Sequence, residues 1–127
     1  MKVRAFSICL GAAALYIVLS LAGCSPSGKF GAPIGASEET AINDVLDDPE
    51  DFAGKTVVLK GQVQTIDDDG KGFTLDNGLG SVIYVKVAGD FTVAKGAKYH
   101  LATAEGKIDV NKETMEPRLM AAGVEIK

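Results

Sequence analysis

Apolar and polar side chains alternate over residues 55–66, which is the period of an extended strand. Every second position from Val57 to Thr65 falls on one side of the chain, and the positions between them, beginning with Val58, fall on the other. We therefore predict a strand with one buried face. Gly61 interrupts that face, and a glycine there indicates a bulge or sharp bend, as needed where a strand serves two sides of a barrel.

The alternation continues in four later segments, which we predict to be strands: residues 72–76, 81–87, 98–108 and 118–126. The side chains expected to point inward from the second and third strands are Phe73, Leu75, Ile83, Val85 and Val87. The pattern is least regular in the last two segments. Together with residues 55–66, these segments give five short strands.

A helical pattern precedes the strands and is expected over residues 37–46, with Ser37 as its cap. The stripe of apolar positions on one side of this helix is Ala41, Ile42, Val45 and Leu46. Pro49 disfavours helical geometry at Asp48, which can cap a short second turn that carries Phe52 inward. We expect the first helix to cover one end of the strand domain.

The first 23 residues have the layout of a secretory signal: a positively charged start followed by an uncharged apolar stretch over residues 5–23. The stretch ends in Leu21, Ala22, Gly23 and Cys24, which resemble the lipobox of bacterial lipoproteins. That resemblance implies that residues 1–23 are removed and that Cys24 is lipidated and becomes the first residue. The alternative is that residues 5–23 remain as a transmembrane helix, because about 20 apolar residues span a bilayer. Both alternatives anchor the protein and export the rest of it.

Residues 24–36 are rich in Gly, Pro and Ser and are expected to form a flexible tether with a reach on the order of 40 Å. Residues 37–127 then form one small domain, which we expect in the periplasm. Ser25 follows the cysteine where some Gram-negative bacteria place an aspartate for inner-membrane retention, so the outer membrane is preferred over the inner one.

Loss of Lys2 and Arg4 with the leader leaves 11 of the 13 basic residues against 17 acidic ones, a formal charge of −6. Such a chain repels nucleic-acid phosphates and anionic headgroups, so membrane attachment is expected to come from acyl chains on Cys24. Cys9 lies in the leader, and no other thiol remains for a disulfide, a metal or catalysis. We predict no catalytic residues, no metal and no cofactor.

Five strands, a bent first strand with a glycine and a tight second hairpin resemble the OB-fold (oligonucleotide/oligosaccharide-binding fold). The resemblance is carried by residues 42–63 (INDVLDDPEDFAGKTVVLKGQV) and 73–82 (FTLDNGLGSV) and spans residues 40–127. These segments look like small OB domains of exported bacterial proteins without an assigned role. The implied fold is mainly β, a five-stranded OB-like Greek-key barrel preceded by a short helix. Residues 88–96 are too short for the helix that many OB-folds carry there.

The OB-fold resemblance implies a ligand across the outer face of the second and third strands and between the neighbouring loops, with the loop of residues 67–71 at its rim. The candidate residues of this face are Gln62, Gln64, Thr74, Tyr84 and Lys86. Single-stranded nucleic acids need a basic groove with stacking aromatics, whereas only Tyr84 is aromatic here and three aspartates at 67–69 adjoin it. Those aspartates are interpreted as a solvated turn or a weak cation site, without the spacing of an EF-hand. His100, the one histidine, is expected at the edge of the fourth strand.

These features predict a noncatalytic, membrane-anchored lipoprotein whose barrel binds an envelope protein as an adaptor. A second hypothesis is binding of a small ligand or glycan at the Tyr84 face. A third is nucleic-acid binding, against which the acidic charge argues.

Overall fold

A computed structural model describes residues 27–35 and 38–127 of the protein. Over these residues the strands are β1 (Gly28–Gly31), β2 (Thr56–Ile66), β3 (Gly72–Asp76), β4 (Val82–Val87), β5 (Leu101–Val110) and β6 (Pro117–Ile126). The short helices are α1 (Ile42–Asp47) and α2 (Pro49–Phe52), and a 3₁₀ turn spans Lys95–Ala97. The predicted leader, Cys24 and Ser37 lie outside the described residues.

The sheet closes into a barrel in the order β2, β3, β4, β6 and β5, with β5 returning to β2. β4 and β6 pair in parallel, and the other barrel pairs are antiparallel. This arrangement confirms the predicted OB-like barrel. Its five strands are those predicted from the alternation, and β1 joins the sheet as a sixth strand beside β6.

Gly61 lies where β2 changes partners, as its position in the alternation predicts. Residues 56–62 pair with β5, whereas residues 62–66 pair with β3. A Cβ on Gly61 would lie 2.6 Å from the carbonyl oxygen of Asp76, so the two strands approach too closely there for a side chain. A separate bulge falls between Val63 and Ile66. It turns Thr65, predicted to be inside, outward and lets Ile66 pack against the core.

The core fills the barrel with the inward side chains of all five barrel strands. Its largest fully buried members are Phe73, Ile42, Leu59, Leu75, Ile83, Ile108 and Leu119. Ile42 and Val45 come from α1, which confirms that this helix packs onto the barrel core. Val58 is also buried, although the alternation places it outside, because the segment at Glu39 runs alongside β2 there and forms a parallel bridge with it.

That bridge also explains why α1 begins at Ile42 and not near Ser37. The Thr40 N–H donates to the Val58 carbonyl at 2.8 Å, so this part of the backbone is extended instead of helical. Ala41 is likewise extended. Among the described residues, no side-chain hydrogen bond caps α1 or α2, which corrects the expected Asp48 cap; Pro49 does begin α2 as predicted.

β1 lies within residues 24–36, the segment expected to be a flexible tether. It pairs with the last residues of β6, from Gly28 opposite Ile126 to Gly31 opposite Gly123. The Phe30 ring stacks against Phe91 with centroids 6.4 Å apart, which holds the strand to the β4–β5 connection. The domain therefore includes residues that precede position 37.

The fourth barrel strand begins three residues later than predicted, at Leu101. Lys98, Tyr99 and His100 form a turn before it, in which Tyr99 has a left-handed backbone with φ of 72°. His100 therefore precedes β5 instead of lying within it. Over the described part of the chain, no helix is long and apolar enough to cross a membrane.

The close approach at Gly61 gives a testable consequence for stability. Gly61→Ala places a methyl group against the Asp76 carbonyl, and we expect a loss of about 1–3 kcal/mol in the free energy of unfolding. Lys60→Ala, at the exposed neighbouring position, is the control and should change it by less than about 0.5 kcal/mol. Urea unfolding measures both. Equal stability of the two variants would show that β2 does not bend closely over β3 at this point.

Candidate functional site

The five side chains predicted for ligand binding lie together on the barrel exterior. We call this surface, made of Gln62, Gln64, Thr74, Tyr84 and Lys86, the outer face. Its members are partly or fully exposed. The β3–β4 register places Thr74 directly opposite Tyr84, and Gln62 on β2 is opposite Asp76 on β3. The sequence thus predicted the side-chain orientations of this face correctly, while its role in binding stays a prediction.

The two glutamines are hydrogen-bonded within the protein. The Gln64 amide nitrogen Nε2 donates to Gln62 Oε1 at 3.2 Å and to Asp76 Oδ2 at 3.4 Å. Gln62 Nε2 donates in turn to the Tyr99 carbonyl at 3.0 Å. Each amide therefore has a fixed orientation, and one edge of the outer face is ordered before any ligand arrives.

Thr65 is a further member of this surface that the alternation placed inside. The Thr65 and Thr74 hydroxyl oxygens are 2.8 Å apart, and the Thr65 N–H donates to Thr74 Oγ1 at 3.1 Å. The β2 bulge creates this contact. A bulge changes the side on which the following residues lie, so strict alternation predicts the wrong side for them.

Tyr84 is held across β3 by a short hydrogen bond. Its hydroxyl donates to Asp67 Oδ2 at 2.5 Å. The ring reaches that carboxylate by passing over Gly72, where a Cβ would collide with both the Tyr84 hydroxyl and the Asp67 carboxylate. A glycine at the start of β3 is therefore required for this arrangement, and Asp67 in the β2–β3 loop fixes the position of the aromatic ring.

The same hydrogen bond to Asp67, followed by partial burial and the negative charges of Asp67 and Asp69, raises the pKa of Tyr84 to about 12. The positive charge of Arg118 acts in the opposite direction. Because the phenol stays protonated at neutral pH, Tyr84 acts there as a hydrogen-bond donor. Its geometry suits positioning and stacking better than proton abstraction.

Arg118 is the residue of this region that the sequence did not reveal. It lies on β6 directly beside Tyr84 on β4. Its Nε and Nη2 atoms both bind Asp109 Oδ2, at 3.0 and 2.9 Å, and its side chain remains 43% exposed. These residues are far apart in the sequence, and only the parallel β4–β6 pairing brings Tyr84 and Arg118 together.

A groove of about 470 Å³ runs beside Tyr84 and Arg118, at the side of the outer face. Its remaining lining residues are Asp109, Asn111, Glu116 and Pro117. Asn111 Oδ1 accepts the Glu113 N–H at 2.9 Å, which orders the β5–β6 loop that forms one wall. The groove therefore combines one aromatic ring, one guanidinium group, one amide and two carboxylates.

The aspartates at 67–69 each have a protein partner. Asp67 accepts the Tyr84 hydroxyl, Asp69 Oδ1 accepts the Lys71 N–H at 2.9 Å, and Asp68 lies 3.5 Å from the Lys95 ammonium group. These contacts are typical of a solvated turn. Within residues 27–35 and 38–127, no group of three or more His, Cys, Asp or Glu side chains is arranged to hold a metal ion.

His100 connects the barrel to the end of the chain. Its Nδ1 atom lies 2.8 Å from the Lys127 carbonyl oxygen. The Lys127 N–H donates to the Leu101 carbonyl at 2.9 Å, so the residue after β6 is bound both to the first residue of β5 and to His100. His100 therefore has a structural partner at the end of the barrel, away from the groove beside Arg118.

No protein-family model matches the sequence, and no curated protein matches it significantly. Solved structures with a similar fold include the hypothetical protein YgiW from E. coli, at 12% identity and a TM-score of 0.52, covering 79% of this chain and 99% of that one. A DUF3299 family protein from Pseudomonas aeruginosa has 16% identity and a TM-score of 0.50, covering 73% and 97%.

The chain also resembles part of a putative aspartyl-tRNA synthetase from Leishmania major, with 16% identity and a TM-score of 0.54 over 76% of this chain. It spans only 23% of that synthetase. At identities this low, the likenesses support the OB-like fold and carry no activity across.

The Tyr84–Asp67 contact predicts a late tyrosine titration. Subtracting the absorbance titration of Tyr84→Phe from that of the wild type leaves the signal of the Tyr84 tyrosinate, which should appear near pH 12. Asp67→Asn should lower the pKa of Tyr84. The Tyr84–Asp67 hydrogen bond stabilises the folded protein only while the phenol is protonated. Because the pKa of Tyr84 is raised in the folded state, this contribution to the free energy of unfolding is complete below the unfolded pKa of about 10 and is lost as the pH rises toward 12.

The folding free energies of the wild type and Tyr84→Phe should therefore converge with rising pH through this range. A Tyr84 transition near the usual pKa of about 10, unchanged by Asp67→Asn, would contradict the contact.

Proposed function

We propose that the protein is a noncatalytic binding module of the bacterial cell envelope, anchored to a membrane, which holds an envelope protein on its outer face. The observation that carries this proposal is the pair formed by Tyr84 and Arg118. The two residues are neighbours on β4 and β6, and each is positioned by a carboxylate, from Asp67 and Asp109 respectively.

Tyrosine and arginine are enriched among the residues that contribute most to protein–protein binding. Side chains that are already held in place lose less conformational entropy when a partner binds. Tyr84 is fixed by its hydrogen bond across Gly72, and Arg118 is fixed by two contacts to one carboxylate oxygen while much of its surface stays exposed. The pair is therefore preorganised for a partner.

An apolar position adjoins this polar surface. Gln62, Asp76 and Val82 form one cross-strand row on β2, β3 and β4, and Val82 is 44% exposed. A partner that covers the outer face would bury Val82 beside the ordered amides. This mixture of an apolar contact with fixed polar groups is typical of a reversible protein interface.

Attachment to the membrane is the second part of the proposal. The lipobox-like residues 21–24 support removal of the leader and acylation of Cys24, with the barrel in the periplasm. Ser25 favours the outer membrane over the inner one. Stable anchoring requires more than one acyl chain, because a single myristoyl chain binds a bilayer only marginally.

The groove beside Arg118 supports a second candidate function, the binding of a small ligand or glycan. Its amide, carboxylates and guanidinium group can hydrogen-bond to hydroxyl groups, and the Tyr84 ring offers an apolar surface. Four carboxylates, from Asp67, Asp69, Asp109 and Glu116, adjoin Tyr84 or line this groove, which argues against binding of a phosphate backbone.

The proposed partner surface can be tested by site-specific crosslinking. A photo-crosslinking phenylalanine analogue at position 86, on the outer face, should capture one defined envelope protein in living cells. The same analogue at position 55 is the matched control, because Lys55 is an exposed lysine outside that face. With the captured protein purified, Arg118→Ala should weaken its binding by about 2 kcal/mol, or roughly 30-fold.

Equal capture from both positions, or no capture from position 86, would contradict a protein partner on the outer face. If a glycan binds instead, saturable binding would be found with soluble oligosaccharides and lost in Tyr84→Ala without a change in melting temperature.

The anchor is tested by the intact mass of the protein extracted from membranes. We expect a chain that begins at Cys24 and carries the mass of several acyl groups, whereas Cys24→Ala should retain residues 1–23 and carry none. A wild-type protein that keeps its leader without added mass would contradict lipidation and identify residues 5–23 as the anchor.

A further inference from the structure

β1 determines at which end of the barrel the chain arrives from the membrane anchor. Gly28 at the start of β1 pairs with Ile126, which also pairs with Ala102 near the start of β5. The next residue, Lys127, donates its N–H to the Leu101 carbonyl. The chain therefore enters the barrel at the end that carries Leu101 and Lys127, and we call this the N-terminal end of the barrel.

The distance available between this end and the anchor is short. Three residues separate Cys24 from Gly28, and four residues of extended chain reach at most about 14 Å. Residues 28–31 are paired in β1, and the Ala32 N–H donates to the Ala122 carbonyl at 2.8 Å, so this segment does not extend the reach. A transmembrane helix over residues 5–23 would place the membrane boundary at the same point.

Two large side chains at the N-terminal end of the barrel are exposed to solvent. Tyr99 is 60% exposed and Leu101 is 51% exposed. The backbone of Tyr99 has a φ of 72°, a conformation that is strained for an aromatic residue. Its N–H donates to the Val63 carbonyl at 2.7 Å, and its carbonyl accepts Gln62 Nε2 at 3.0 Å, so the protein holds this conformation from both sides.

Basic side chains accompany these residues. The Lys98 ammonium group lies 5.1 Å from the centroid of the Tyr99 ring. Lys127 is exposed and is joined to Leu101 and His100 through its backbone. Tyrosine rings favour the headgroup region of a bilayer, where one end is apolar and the other is wet, and lysines beside them can reach lipid phosphates.

We propose that Tyr99 and Leu101, together with Lys98 and Lys127, form a membrane-contact surface that rests on the headgroups of the membrane that holds the anchor. This inference depends on the membrane anchoring proposed above and adds an orientation to it. The overall acidic charge gives no attraction to anionic lipids, so the anchor brings this end to the bilayer and the aromatic and apolar side chains make the contact.

Single-tryptophan variants of the full chain can test this orientation, because the sequence contains no tryptophan. Tyr99→Trp places the probe in the proposed contact. Glu113→Trp is the control, in the exposed loop after β5, at the opposite end of that strand. Each variant is purified with its anchor and reconstituted into vesicles of phosphatidylethanolamine and phosphatidylglycerol, with or without bromine on the acyl chains.

We expect brominated lipid to quench the fluorescence of the Tyr99→Trp variant and to leave that of the Glu113→Trp variant unchanged. If the protein floats with the vesicles but brominated lipid leaves the fluorescence of the Tyr99→Trp variant as unchanged as that of the Glu113→Trp variant, the contact is overturned and the anchor stands. Protein that does not float with vesicles would overturn the anchor and the contact together. If Tyr99→Trp lowers the melting temperature, Leu101→Trp replaces it at the neighbouring exposed position.

Discussion

The parallel pairing of β4 with β6 is the constraint on which the rest of the structure depends. It joins Tyr84–Val87 to Arg118–Ala121 and closes a sheet that would otherwise be open between these strands. Closure buries the inward side chains on all sides, and the residues that the structure describes include no cysteine. After Val87, the chain turns away, and β1 takes the place beside the rest of β6. One short pairing therefore shapes the core, the site and the entry of the chain.

The two proposed surfaces follow from this closure in different ways. Tyr84 and Arg118 become neighbours because their strands pair, and the absence of a side chain at Gly72 leaves room for the tyrosine to reach Asp67. The membrane-contact surface arises because β1 runs antiparallel to β6, which returns Gly28 to the end that carries Lys127. The barrel thus carries a candidate partner surface on its wall and a candidate lipid surface at one end, and the two adjoin where Gln62 donates to the Tyr99 carbonyl and pairs with Leu101.

The local alternation of side chains predicted the five barrel strands and the bend at Gly61, because both depend on neighbouring residues. It did not predict β1, because four residues of which two are glycines are too few to show an alternation of apolar and polar side chains in the sequence. It also did not predict the start of α1, which the bridge to Val58 decides. The alternation also placed most outer-face residues correctly. Arg118 was missed because its position beside Tyr84 depends on pairing between distant segments, and Thr65 was missed because of a bulge.

Hydroxyl-radical footprinting of tyrosine and methionine tests whether a partner covers the outer face of the anchored barrel. The protein is oxidised in native envelopes and, separately, after purification in detergent. Tyr84 should be oxidised less in envelopes, whereas Met115, which is 41% exposed in the β5–β6 loop, should be oxidised equally in both. Equal oxidation of Tyr84 in the two preparations would show that no partner covers the outer face in the envelope.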